Sequence, residues 1–295
     1  MGGLRRTSSG DWNQMLNLDD DYAMLSGRFA EKLACSQGKP FAFDHGGMRT
    51  LHFDGRYIQS AMYIAAPDEL LLSYTRAMMA FLLTKPTPRH ILMIGLGGGS
   101  LAKFCYRHLS ATRITVLELD HHVIALRRQF MLPEDSERFQ IIHADADDYL
   151  FGMQHTVDVI LHDGFVADGL APKLSTEIFY RRCSEVLDGD GVLVSNVFGT
   201  TDDLMPVMKR LRKVFGPRMW WGDPSGCINR IILAMKDMGH MAHRPTLVKR
   251  AEQLDLRHGL GLGDFVDRLK TAHDKNGAEF DAIADYDAGA TFMPY

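Results

Sequence analysis

A glycine-rich turn and three acids are the residues of this 295-residue chain that could do chemistry together. The turn reads Ile94-Gly95-Leu96-Gly97-Gly98-Gly99, and the acids are Glu118, Asp145 and Asp163. Glycines without Cβ atoms let a backbone turn sharply and approach a ligand closely, which marks Gly95, Gly97 and Gly98 as ligand-facing. Ser100 stands where the dinucleotide fingerprint wants a third glycine, so the turn alone does not name a cofactor. An acid at the end of the next strand, Glu118, is placed to accept hydrogen bonds from ribose hydroxyls. Asp145 suits the exocyclic amine of a base, although an Asp after a strand also serves as a helix N-cap. Asp163 falls where the reacting end of a nucleoside would lie. A plain dinucleotide fold needs only the first acid; the other two point to an S-adenosyl sulfonium ligand.

The elements that must position these residues follow from apolar spacing. Ile91–Ile94 is a strand, Leu101, Phe104, Cys105 and Leu109 recur at helical spacing, and Ile114–Leu117 is the next strand. The alternation continues with helix 121–131, strand 139–143, short helix 148–152, strand 157–161, helix 175–187, strand 191–197 and helix 202–215. Residues 219–221 and 228–235 form a terminal hairpin. This order predicts a Rossmann-like, doubly wound α/β sheet of the S-adenosylmethionine-dependent methyltransferase type. Turn signals at Asp44-His45-Gly46-Gly47 and Asp54-Gly55 separate short strands at 41–43, 50–53 and 57–64, a small antiparallel β-element. A helix is expected to begin at Pro67-Asp68-Glu69, with Met78 and Met79 in its core. The expected divisions are an ill-defined segment 1–38, the β-element and helix 39–88, the nucleoside-binding domain 89–236 and a helical tail 237–295, with helices over 247–256 and 265–272.

Composition narrows the class. Lys and Arg (33) nearly balance Asp and Glu (37), so nothing suggests nucleic acid as a partner. No apolar run approaches the ~20 residues of a membrane span, and the first residues lack the apolar core of a secretory signal. Cys35, Cys105, Cys183 and Cys227 are scattered, as reduced, buried thiols of a cytoplasmic protein would be. No metal site is expected: His121 and His122 should point to different faces of a helix, and His240 with His243 lack a third ligand. His162 is expected to be a packed or partly exposed histidine rather than one that tunes Asp163, and Trp220-Trp221 to pack the edge hairpin or a subunit contact.

Residues from about Thr50 to Leu233 resemble the spermidine synthase (polyamine aminopropyltransferase) family. Leu51-His52-Phe53-Asp54-Gly55-Arg56-Tyr57-Ile58-Gln59 is similar to its strand ending Leu-Asp-Gly-x-x-Gln. The glycine turn resembles Ile-Gly-Gly-Gly-Asp-Gly, and Val116-Leu117-Glu118-Leu119-Asp120 resembles Val-Glu-Ile-Asp. Asp145-Ala146 is similar to Asp-Gly, and residues 157–163 to Tyr-Asp-Val-Ile-x-x-Asp. The resemblance implies that Gln59, Glu118, Asp145 and Ala146 hold the nucleoside of decarboxylated S-adenosylmethionine or of methylthioadenosine. It implies that Asp163 accepts the proton of the attacking amine, helped by Asp168 and Tyr74, and that Pro172, which falls on the last Pro of the family's loop, is among the residues that bind the co-substrate. Three positions depart from the family: Gly98 replaces the loop Asp that contacts the amine end of the substrate, Thr75 a His, and Arg76 a Glu.

The resulting expectation is a cytoplasmic transferase that moves an aminopropyl group from decarboxylated S-adenosylmethionine to a small-molecule amine. Homodimers or higher homo-oligomers are expected from the family. Two alternatives use the same scaffold. One is a methyltransferase taking intact S-adenosylmethionine, whose carboxylate Arg76 could pair. The other is a nucleoside-binding homologue without catalysis.

Overall fold

The computed structural model describes residues 19–55, 57–166, 169–237 and 243–271. In chain order the elements are α1 (Asp19–Ser36), β1 (Phe41–His45), β2 (Met48–His52), β3 (Ser60–Tyr63), α2 (Ser73–Met78), β4 (His90–Ile94), α3 (Ser100–His108), β5 (Arg113–Glu118), α4 (His121–Ala125), β6 (Phe139–His143), α5 (Ala146–Gly152) and β7 (Val157–His162). There follow β8 (Phe165–Val166), β9 (Gly169–Leu170), α6 (Glu177–Val186), β10 (Leu187–Phe198), α7 (Thr201–Phe215), β11 (Met219–Gly222), β12 (Asn229–Met235), α8 (Arg244–His258), α9 (Leu262–Arg268) and β13 (Lys270–Thr271).

Eight strands form the main sheet in the order β13-β11-β12-β10-β7-β4-β5-β6. The run from β10 to β6 is parallel, and β12 and β11 add an antiparallel end. Every residue of β4 is buried, as a strand covered on both faces requires. Its side chains alternate between two cores. Ile91 and Met93 join Met79, Phe81, Phe104 and Leu161 on one face, while Leu92 and Ile94 join Phe179, Leu211 and Phe215 on the other. Strand order reverses between β4 and β7, so the crevice for a ligand lies above their carboxyl ends. The separate sheet β1-β2-β3 precedes this one in the chain, and Ser60 at the start of β3, with Gln59 before it, lines the cavity beside the glycine turn.

Several expectations needed correction. Pro67–Glu69 form a turn, and helix begins only at Ser73, passing into a 3-10 turn over Met79–Leu83. The expected helix 121–131 stops at Ala125; turns follow, ending in Met131 at φ 55°. That fold-back lets Phe130 and Leu132 pack behind the glycine turn, a tertiary gain that periodicity cannot show. The strand expected at 57–64 is confined to Ser60–Tyr63. The helix expected over 265–272 ends at Arg268, and Lys270–Thr271 instead pairs with β11. Residues 244–268 are no loose appendage, since Ala251, Leu262 and Phe265 lie in the main core. Cys105 and Cys183 are buried as expected, but Cys35 is exposed and Cys227 half-buried. His121 and His122 do not diverge; their ring centroids are 3.9 Å apart. Trp220 and Trp221, on the hairpin strand β11, are both buried, one in each of the two cores. Trp12, Leu16, His240 and the chain after Thr271 lie outside the described residues.

Candidate active site

The carboxyl ends of β4, β5 and β7 bring the glycine turn, Glu118 and Asp163 to one crevice. Gly95 adopts φ 93°, and a Cβ there would lie 2.4 Å from the Asp163 carbonyl oxygen. Glycine is thus required both by backbone conformation and by the closeness of β7. Gly98 is fixed differently: a Cβ would meet Ser60 Oγ at 2.6 Å and Phe130 Cδ1 at 2.9 Å. The space that a loop carboxylate would use is already filled. Gln59, Ser60, Tyr74, Thr75, Met93, Ser100, Leu101 and Asp163 line a cavity of about 30 Å³ against Gly95, Leu96 and Gly97.

Glu118 is half-buried and carries two backbone donors, Leu96 N on Oε2 and Asp120 N on Oε1, each at 2.8 Å. Burial raises its carboxyl above the ordinary range, opposed by those two N–H groups. Each oxygen retains a lone pair for a hydroxyl. Asp145 is the N-cap of α5: Oδ1 accepts from Asp147 N at 2.9 Å and from Asp148 N at 3.5 Å. Oδ2 faces Lys173 Nζ at 3.4 Å, a surface pair. The capping role foreseen for Asp145 is therefore real, and it leaves Oδ2 on the rim. Ala146, the first residue of α5, is buried. Pro172 is exposed and opens the 3-10 turn Pro172–Ser175. Asp168 lies outside the described residues.

Asp163 follows β7 and is half-buried. Asn196 Nδ2 donates to its Oδ1 at 2.8 Å, and Tyr74 OH reaches Oδ2 at 3.5 Å. Removal from water pushes the carboxyl up to about 6, against the lowering effect of these two donors. Tyr74 is held in its protonated form by burial and by the charge of Asp163. His162, beside it in sequence, turns to the opposite face and meets Ser195 Oγ at 3.0 Å. Burial pushes that imidazole down to about 3, so it is a neutral packed histidine. Arg76 Nη1 is tied to the Leu70 and Leu71 carbonyls, which anchors the entry to α2.

Asn196, Asn229 and Ser60 were missed in the sequence. A signal existed for the first: Ser195-Asn196 interrupts the apolar run of β10 near its carboxyl end. A polar residue buried at that point in a central strand needs a partner. Two groups of described residues bring potential metal ligands together, Asp120-His121-His122 and Asp158-Asp188-Asp190. The second is neutralised by Lys85 and Arg89.

A parallel sheet reversing over a glycine turn, with Glu118 and the recessed Asp163 at its carboxyl edge, defines an α/β protein of the Rossmann-like methyltransferase type. Solved structures share this fold. A probable spermidine synthase from Corynebacterium glutamicum matches with TM-score 0.64 at 17% identity, over 86% of this chain and 95% of that one. Human methyltransferase-like protein 13 matches with TM-score 0.56 at 24% identity, over 63% and 91%. Residues 71–218 match the spermine/spermidine synthase domain. A polyamine aminopropyltransferase of Chromobacterium violaceum is 37% identical over 77% of this chain and 87% of its own length. One from Neisseria meningitidis is 36% identical over 80% and 91%. The chain belongs to the spermine/spermidine synthase family.

Proposed function

We propose that this protein transfers the aminopropyl group of decarboxylated S-adenosylmethionine to a small-molecule amine, releasing methylthioadenosine. The observation that carries the proposal is Asp163: a recessed carboxylate beside the glycine turn, held on one oxygen by Asn196 and turned toward Tyr74 on the other. The donor's ribose would lie on Glu118, its base on Asp145 Oδ2 and Ala146, and its sulfonium end over Gly95, Gly97 and Gly98 near Gln59.

Attack by the amine nitrogen forms a carbon–nitrogen bond and breaks the carbon–sulfur bond. The electron pair stays on sulfur, which leaves as a neutral thioether. Positive charge moves from sulfur to nitrogen, so a recessed site favours the loss at sulfur without a metal. The lone pair that attacks is freed when the acceptor's ammonium gives a proton to Asp163; a carboxyl near 6 is mostly ionised at pH 7.5 yet more basic than an ordinary Asp. Tyr74, with Asp168 and Pro172 of the adjoining loop, would position the acceptor in line with the breaking bond. A cytoplasmic, homo-oligomeric enzyme is part of the same proposal. Among the described residues no helix is long and apolar enough to cross a membrane.

The methyltransferase alternative leaned on Arg76 as a partner for a donor carboxylate. Its guanidinium already has a structural task at Leu70 and Leu71. Calorimetric titration with both donors tests the choice. The decarboxylated donor should bind at least tenfold tighter; tighter binding of the carboxylated one by the same margin would overturn the proposal.

A further inference from the structure

Asp163 is held by a ladder of two amides. Asn196 Nδ2 donates to Asp163 Oδ1 at 2.8 Å, and Asn229 Nδ2 donates to Asn196 Oδ1 at 3.0 Å. Sheet register builds the ladder. The antiparallel pair β10 and β12 sets Asn196 opposite Ile231 and Phe198 opposite Asn229, so both amides project on the same face at the strand ends. Asn196 is 2% exposed, so its amide depends on these protein partners.

The two ends of an amide have the same shape and opposite polarity. Turned around, Asn196 would present its oxygen to the Asp163 carboxylate. Two acceptors would then face each other, an arrangement that a protonated Asp163 would relieve. Asn229 blocks the turn, because its N–H needs the Asn196 oxygen.

We propose that Asn229 is a positioning residue: by fixing which end of the Asn196 amide meets Asp163, it keeps that carboxylate charged, with Oδ2 turned toward Tyr74 and the acceptor. This rests on the reading that Asp163 takes the acceptor's proton. The other groups around the carboxylate do not supply this control. Tyr74, from α2, reaches Oδ2 at 3.5 Å and stays protonated. His162 faces away and is neutral, and Glu118 is engaged by Leu96 N and Asp120 N. Arg76 and Cys227 have partners of their own: the guanidinium donates to the Leu70 and Leu71 carbonyls, and the thiol to the Pro224 carbonyl.

The test uses the full-length chain with Asn229→Ala, Asn196→Ala and both together. Two readouts are followed against pH: kcat/KM by thioether release, and the Asp163 carboxyl by ¹³C NMR of aspartate-labelled protein, assigned with Asp163→Asn. Asn229→Ala should move both titrations up by about 0.5–1 unit and slow the reaction roughly two- to fivefold at pH 6, with no more than a marginal change at pH 9. In the Asn196→Ala background it should add nothing. Asn229→Asp, which has no donor, covers the case in which the alanine variant does not fold; its upward shift should shrink sharply without Asn196. An unmoved carboxyl titration in folded Asn229 variants, or equal shifts with and without Asn196, would overturn the inference. A wild type that releases no thioether with any amine would contradict the proposed function, and the NMR titration would still decide the ladder.

Discussion

Replacing Asp163 by Asn should abolish turnover and make the protein more stable. The carboxyl ionises near 3.8 in the unfolded chain and at about 6 when folded. At 1.36 kcal/mol per unit, that difference is worth about 3 kcal/mol against the folded state once both forms are ionised. The carboxylate keeps one face on the crevice, and water there reduces the figure to about 2 kcal/mol. The wild type should therefore lose this stability as pH rises from about 4 through 6, while the Asn variant does not. An Asn side chain is isosteric here: its oxygen still accepts from Asn196, and its amide can donate to Tyr74 OH. Urea melts at pH 4 and pH 8 measure the effect. The variant should match the wild type at pH 4 and exceed it by about 2 kcal/mol at pH 8, with thioether release down by at least about 10³-fold. A variant less stable at pH 8, or one retaining a tenth of the activity, would contradict the roles given to Asp163.

Three further outcomes test neighbouring residues. Gly98→Ala should destabilise by about 1–3 kcal/mol through overpacking against Ser60 and Phe130, and weaken donor binding; a neutral effect in denaturation and calorimetry would contradict the packing. Asp145→Ser should keep most of the α5 cap while losing the base contact, whereas Asp145→Ala should lose both, at about 1 kcal/mol for the cap. Equal nucleoside affinity for wild type and the Ser variant would remove Asp145 from the site. Lys103 is buried, with its amine pushed down to about 7 by burial, so Lys103→Met should gain stability at pH 6 and lose that advantage as pH rises toward 10.5; melts that rank the two equally at both ends would contradict this.

The sheet was legible because its strands obey local rules. Ile91–Ile94, Phe139–His143 and Val157–Leu161 are apolar runs bounded by turn residues, and each strand lies where those runs fall. The positions of the glycine turn, Glu118 and Asp163 were legible for the same reason: each lies at the carboxyl end of a strand, and parallel strands end on one side. What was hidden depends on contacts between distant segments. Met131 adopts a positive φ so that Phe130 and Leu132 can back the glycine turn, which no helical periodicity reveals. Asn196 and Asn229 become partners only through the register of β10 with β12. The adjacent rings of His121 and His122 likewise depend on where α4 starts, after the Asp120 cap.

On the proposed reaction, this crevice turns a sulfonium nucleoside into a neutral thioether by amine attack, with Asp163 taking the proton. Mass spectrometry of the products tests it most directly. Purified wild type, offered both donors at equal concentration with a panel of amines, should release methylthioadenosine together with an acceptor heavier by one aminopropyl group, and Asp163→Asn should release neither. Release of S-adenosylhomocysteine with a methylated acceptor, or methylthioadenosine formation undiminished in Asp163→Asn, would contradict the account.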